Sequence, residues 1–155
     1  MKIAIGADHG GFELKKSIIA SFADAEFIDV GCTGPEACDF PDYADAVAEK
    51  VACGEADFGL LVCRTGMGMT MAANRFQNVR AALCLDVPTA VLARQHNGAN
   101  VPSACAVRTR HIAAPSAVRR HFTPPSAVKS TNLISSACIA TAARRTKRTN
   151  DLFFI

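Results

Sequence analysis

Four short apolar runs alternate with four helical patterns over residues 1–101, and this alternation restricts the fold more than any other feature of the chain. Residues 2–7, Phe27 to Val30, Phe58 to Val62 and Val79 to Leu85 read as strands. Phe12, Leu14, Ile18, Ile19 and Phe22 suit one face of a helix over 12–22. A second helix starts at Pro41, where a missing N–H is tolerated, turns Tyr43, Ala46, Val47 and Val51 inward, and stops at Gly54. A short helix over 68–75 and another over 88–96 complete the set. Strands separated by helices at this spacing are joined by crossovers, which puts them in the parallel sheet of an α/β fold. Ligands of such sheets bind at the carboxyl ends of the strands. Asp8-His9, Cys63 to Thr65 and the loop at Asp86 all fall at such ends. His96-Asn97 falls at the other end of a helix, where a second subunit is needed to bring it near.

The stretch Leu61-Val62-Cys63-Arg64-Thr65-Gly66-Met67-Gly68-Met69 carries the chemistry. A buried strand delivers a cysteine into a loop with two glycines, and that loop opens the short helix through Ala72, Ala73 and Asn74. The first amides of a helix have no intrahelical acceptor and lie at the positive end of its dipole, so they attract anions. The same field favours a thiolate over a thiol. The stretch therefore reads as a reactive thiol beside an oxyanion cradle. It reads equally as a plain strand–turn–helix joint around an inert buried cysteine, since most free cysteines are small core residues. His9 alone reads as an ordinary loop histidine, and His96-Asn97 as a helix terminus whose imidazole complements the dipole.

At 155 residues and 50% hydrophobic content the chain suits one domain, 1–155, with a sizeable core. No apolar run approaches the roughly 18 residues of a membrane span. Met1 to Gly6 enters a strand without the apolar core or cleavage site of a secretory signal, so a cytoplasmic location with no membrane partner is expected. Seven cysteines, an odd number with no CxxC, fit free thiols better than disulfides or a metal site. The loop Gly6 to Gly11 lacks the GxGxxG order and no GxxxxGK(S/T) occurs, which sets aside dinucleotide and P-loop enzymes. The net charge of +3 conceals a break: residues 1–101 hold eight Lys and Arg against thirteen acids, and residues 102–155 hold nine against Asp151 alone. The run Arg144-Arg145-Thr146-Lys147-Arg148 reads as solvated rather than as a nucleic-acid contact, because no aromatic platform or binding motif accompanies it.

Five ordered motifs point further. Asp8 to Lys15, Asp39-Phe40-Pro41-Asp42-Tyr43-Ala44, Cys63 to Asn74, Arg80 to Cys84 and Arg94-Gln95-His96-Asn97-Gly98-Ala99-Asn100-Val101 resemble the ribose-5-phosphate isomerase B and galactose-6-phosphate isomerase family. The resemblance runs in order from Met1 to Val101. It implies a Rossmann-like three-layer αβα sandwich with a parallel sheet, no metal and no cofactor, and a homodimer or tetramer that shares its active sites. It implies an aldose–ketose isomerase whose substrate is ribose 5-phosphate, or galactose 6-phosphate, allose 6-phosphate or a tetrulose phosphate. A sugar-phosphate-binding homologue impaired in catalysis is the alternative. By resemblance Cys63 is the base, Thr65 assists proton movement at oxygen and His96 opens the sugar ring from a neighbouring subunit. The N–H groups from Arg64 through Gly66 and Met67 to Gly68 hold the enediolate, Asn97 binds hydroxyls, Asp8 contacts the sugar and His9 the phosphate.

Three departures accompany the resemblance. Glycine is usual where this chain has Arg64; a positive φ there would cost about 1 kcal/mol or more in strain. Its charge would otherwise support the Cys63 thiolate or hold an anionic substrate. Tyrosine is frequent at the position of Phe40. Beyond Val101 the family continues with an apolar strand, a Gly-x-Arg turn and helices bearing phosphate-binding arginines, whereas here Pro102 to Arg110 has no glycine. Arg108, Arg119, Arg120, Arg144 and Arg145 align to no family position. The break has the form that a reading-frame change near the codon for residue 102 leaves, or that of a basic extension. Without a fifth strand the sheet would show an open edge.

Overall fold

The computed structural model describes residues 1–22 and 25–107. The strands β1 (Lys2–Ala7), β2 (Glu26–Asp29), β3 (Phe58–Cys63), β4 (Ala81–Cys84) and β5 (Val101–Cys105) alternate with α1 (Phe12–Ser21), α2 (Phe40–Ala52), α3 (Met67–Ala73) and α4 (Val87–Asn97). Every ladder is parallel and the strand order is β2-β1-β3-β5-β4. The chain steps outward from β1 to β2, then crosses back through α2 to β3 on the other side of β1. Strand order thus reverses between β1 and β3, and the crevice at their carboxyl ends is the place where such sheets bind ligands.

The period-two alternation of β1 and β3 feeds two helical layers at once. Ile3, Ile5, Ala7, Leu60 and Val62 meet Leu14, Ile18 and Ile19 of α1 on one face. Ala4, Leu61, Cys63 and Val101 meet Ala44, Val47 and Ala48 of α2 and Met69, Ala72 and Ala73 of α3 on the other. Close approach of α2 depends on Gly6 and Gly59, where an added Cβ would come to 2.7 and 2.6 Å from Val47. Complete burial of Val47 contributes about 2 kcal/mol through the apolar area removed from water. The α/β architecture with helices flanking a parallel sheet is the one expected from the sequence.

Two boundaries moved for identifiable reasons. The strand expected over Val79 to Leu85 begins only at Ala81, because Asn78 takes a φ of 66° and Asn100 accepts the Arg80 N–H at 2.8 Å. The short helix ends at Ala73 rather than 75. Asn74 leaves it, and its side-chain amide pairs with both the N–H and the C=O of Ala81 at 2.8 Å, covering the start of edge strand β4.

The largest difference lies past residue 101. A fifth strand is present, it stands between β3 and β4, and it alternates buried Val101, Ser103 and Cys105 with half-buried Pro102 and Ala104. Its loss would therefore detach β4 rather than bare an outer edge. Proline is tolerated because Pro102 pairs only with Ala82 of β4, and the β3 ladder starts one residue later at Leu61 and Ser103. The five unaligned arginines from Arg108 onward lie outside the described residues.

Candidate active site

The loop after β1 contributes a carboxylate and an imidazole. Asp8 is buried, and its Oδ1 accepts the Gly11 N–H at 2.9 Å, which closes the turn into α1. His9 is exposed. Its ring Nδ1 accepts the Cys38 N–H at 3.3 Å while its own N–H donates to Cys38 Sγ at 3.2 Å. With Nδ1 accepting, the neutral ring carries its proton on Nε2, which becomes the free donor. Cys38 also neighbours Cys32 and Tyr43. Burial, then Cys38, push the Cys32 thiol up against the opposing charge of Lys15. The hydrogen bond with Cys38, then burial, push the Tyr43 hydroxyl up. Behind this cluster Lys15, itself buried, donates to Asp29 Oδ1 at 2.9 Å and to the Cys32 carbonyl at 2.7 Å, joining α1 to the end of β2.

The loop after β3 contributes the thiol. Cys63 is the last strand residue rather than the first of the loop; it pairs with Cys105, is 5% exposed and packs into the α2/α3 core. Its Sγ accepts the Gly66 N–H at 3.0 Å. Gly66 caps α3 with a φ of 80°. Its carbonyl accepts three hydrogen bonds, from Thr70 N–H at 3.1 Å, Thr70 Oγ1 at 2.7 Å and the fully buried Ser103 Oγ at 2.9 Å. The Arg64 carbonyl accepts Cys105 Sγ at 3.2 Å, and the Cys63 carbonyl accepts the Ala106 N–H at 2.9 Å. Residues 103–106 therefore hold the loop from behind. The Phe40 ring covers Gly68, where an added Cβ would meet it at 2.8 Å.

Two expectations about this loop need correction. Arg64 carries no left-handed strain, because Asn78 is the sole non-glycine residue with positive φ among those described; the left-handed turn falls two residues later, on Gly66. The row of unpaired N–H groups is shorter than expected. Gly66 N–H is engaged by the Cys63 sulfur, and Met67 N–H reaches Thr65 Oγ1 at 3.4 Å. The Thr65 hydroxyl is thus an acceptor within its own turn, and Gly68 follows in the first turn of α3, where amides lack intrahelical acceptors.

His96 and Asn97 are exposed in the last turn of α4, before Gly98 at φ 61°. That end of α4 stands by the start of β3, since the Arg94 guanidinium lies 5.1 Å over the Phe58 ring and Gly59 N–H donates to Asn100. Phe58 and Cys63 are the two ends of β3, about 16 Å apart at 3.3 Å per residue. Within one protomer His96 and Asn97 do not join Asp8, His9 and Cys63.

Cys38, Thr70, Ser103 and Cys105 support the site and were missed in the sequence. Thr70 had a usable signal, a hydroxyl four residues after the capping glycine. Ser103 had a weaker one, a polar residue at an inward position of an alternating strand. Nothing local marks Cys38 as the partner of His9. Among the described residues no three His, Cys, Asp or Glu side chains are grouped so as to hold a metal ion, and no helix is long and apolar enough to cross a membrane.

Sites of this build, on loops leaving the strand ends of a parallel sheet at its switch point, define the class of small-molecule α/β enzymes. The chain belongs to the family described as Ribose/Galactose Isomerase, whose model matches residues 3–125, and hence to the sugar-phosphate isomerases. It is 48% identical over 102 residues to ribose-5-phosphate isomerase B of Escherichia coli, a match covering 64% of this chain and 68% of that one. Its fold is similar to the ribose 5-phosphate isomerase of Thermotoga maritima, with a TM-score of 0.75 and 41% identity over 80% of this chain and 87% of that one. It is also similar to ribose-5-phosphate isomerase B of Clostridium thermocellum, with a TM-score of 0.73 and 33% identity over 95% of this chain and 96% of that one.

Proposed function

We propose that this chain interconverts ribose 5-phosphate and ribulose 5-phosphate through an enediolate, with Cys63 as the base. One observation carries the reading: the Cys63 thiol ends β3 at the switch point, with a loop amide on its sulfur and the Asp8 loop across the crevice. In the open-chain aldose the thiolate takes the C2 proton, and charge develops on O1. Those loop N–H groups from Arg64 to Gly68 that the Cys63 sulfur and the Thr65 hydroxyl do not already engage stabilise that oxyanion. A proton moves from O2 to O1 with help from the Thr65 hydroxyl, and return of the carbon proton to C1 completes the ketose. Asp8 binds sugar hydroxyls and His9 the phosphate. His96 opens the furanose ring and Asn97 binds hydroxyls, both from a second copy of this chain, since their own α4 ends by Phe58, at the end of β3 opposite Cys63. The free thiols of the described residues suit a reducing, cytoplasmic setting.

The charge break after residue 101 favours a second reading, binding of sugar phosphates without turnover. One experiment separates the two. The full-length chain is assayed for ribulose 5-phosphate formation, with oligomer size read on the same sample. Cys63→Ala and His96→Ala are then each assayed alone and after mixing. Shared sites predict that the two inactive variants regain up to about a quarter of wild-type activity when hybrid dimers form at random, because half of the dimers are hybrids and each keeps one intact site. Binding without turnover by the wild type supports the second reading, and an active wild type whose mixed variants stay inactive contradicts the shared site.

A further inference from the structure

Eight lysine and arginine side chains lie within residues 1–107, and seven have partners in the structure. Lys2, Lys15, Lys16, Lys50 and Arg75 pair with Glu26, Asp29, Glu13, Glu55 and Asp45. Arg80 and Arg94 donate to the Gly98 carbonyl. The Arg64 guanidinium alone has no acceptor among the described residues, and it is exposed.

Its place gives that charge a use. Arg64 follows Cys63 directly and starts in the crevice between the β1 and β3 loops: an added Cβ on Gly10 would lie 3.1 Å from Arg64 Cβ and 3.3 Å from Asp8 Oδ1. The backbone at Arg64 is fixed, since its carbonyl accepts from Cys105 Sγ and from the Val107 N–H. The held backbone sets where the side chain starts, and the unengaged fork is free to turn onto a ligand at the cost of its own rotamer freedom. His9, on the facing loop, offers Nε2–H as a second donor, with its Nδ1 held by Cys38.

We propose that Arg64 is the specificity residue for a phosphoryl dianion, which it seats together with His9. The proposal rests on the sugar-phosphate reading of the same crevice. A guanidinium presents paired N–H donors that match two phosphoryl oxygens, a geometry a lysine cannot copy. The Asp8 carboxylate repels the dianion and accepts hydroxyl hydrogens. Phosphate is therefore held on the Arg64 and His9 side while the sugar lies against Asp8 and Cys63.

The test titrates inorganic phosphate into the full-length protein by calorimetry and repeats it as competitive inhibition of ribose 5-phosphate turnover. Arg64→Gln is expected to raise the phosphate Kd and the substrate KM together by about tenfold or more, with kcat within about threefold of wild type. Arg64→Lys is expected to recover part of the loss, since charge returns without the fork. Circular dichroism checks that each variant is folded, which the exposure of the side chain favours. Unchanged phosphate affinity in Arg64→Gln overturns the proposal, and so does a wild type that binds no phosphate. A shifted pH profile of kcat with unchanged affinity assigns the charge to Cys63 instead, which also overturns it. If phosphate binding depends on Arg64 but no sugar phosphate is turned over, the isomerase reading fails and this one stands.

Discussion

Gly66 and Gly54 form a matched pair that tests the geometry of the Cys63 loop. Both have left-handed backbones, with φ of 80° and 74°. An alanine at either position pays the same left-handed penalty of about 1–2 kcal/mol, reduced by up to about 1 kcal/mol because the unfolded chain also loses freedom. Their surroundings differ. An added Cβ on Gly54 meets nothing within 4 Å, whereas on Gly66 it meets Leu83 Cδ1 at 2.5 Å and both the Ala104 carbonyl and Ser103 Oγ at 3.3 Å. Leu83 can rotate away at about 1 kcal/mol, but the β5 backbone is paired on both sides and yields little. Gly54→Ala should therefore destabilise by about 1 kcal/mol and Gly66→Ala by about 2–4 kcal/mol. In urea, with a slope near 2 kcal/mol/M, the Gly66→Ala midpoint should fall roughly 0.5–1.5 M below that of Gly54→Ala. Both must be measured at one protein concentration, because assembly contributes to apparent stability. Gly66→Ala should also lose turnover, since its N–H no longer points at the Cys63 sulfur, while Gly54→Ala keeps it. Coincident midpoints would refute the reasoning, because they leave the contact with Leu83 and β5 without effect.

Two further predictions concern stability away from the loop. Lys15→Met should cost about 2 kcal/mol in urea unfolding, because the Cys32 carbonyl loses its buried donor while the part-exposed Asp29 stays hydrated; a change under 0.5 kcal/mol would contradict this. Burial pushes the Cys84 thiol up to about 11, against an opposing hydrogen bond with Ser103 and with the Asp86 charge adding to the rise. The folded state thus holds this proton more tightly than an unfolded thiol of ordinary value 9.0, so the contribution is full below pH 9 and is lost as pH rises to about 11. The stability gap between wild type and Cys84→Ala should narrow by about 2 kcal/mol between pH 8 and 11, and a constant gap would count against it.

The alternation of apolar runs and helical faces located four strands and all four helices, because β1 beyond Lys2 and the whole of β3 are apolar and glycines mark the turns beside them. The carboxyl-end rule then placed Asp8, His9 and Cys63 together with no further information. β5 escaped notice for a physical reason. Val101 to Cys105 contains a proline, a serine and an alanine, and its burial comes from the sheet on both sides rather than from its own hydrophobicity. Strain at Arg64 was one of the alternatives raised by the glycine usual at that position, yet sequence does not tell which residue absorbs the turn; Gly66 does. The Cys38–His9 pairing joins positions 29 apart through an irregular loop, where neither period applies. Distance between His96 and Cys63 was legible, since a crossover helix in a parallel sheet ends at the edge opposite the site.

The most direct test of the central claim is the turnover of ribose 5-phosphate by Cys63→Ala, with loss of the C2 proton to deuterated solvent followed in the same sample. With Cys63 as the base, both turnover and C2 exchange should fall by at least about a hundredfold while the variant stays folded and binds substrate. Turnover within a few-fold of wild type would show that another group removes the proton, and the account of the loop as the catalytic centre would be wrong.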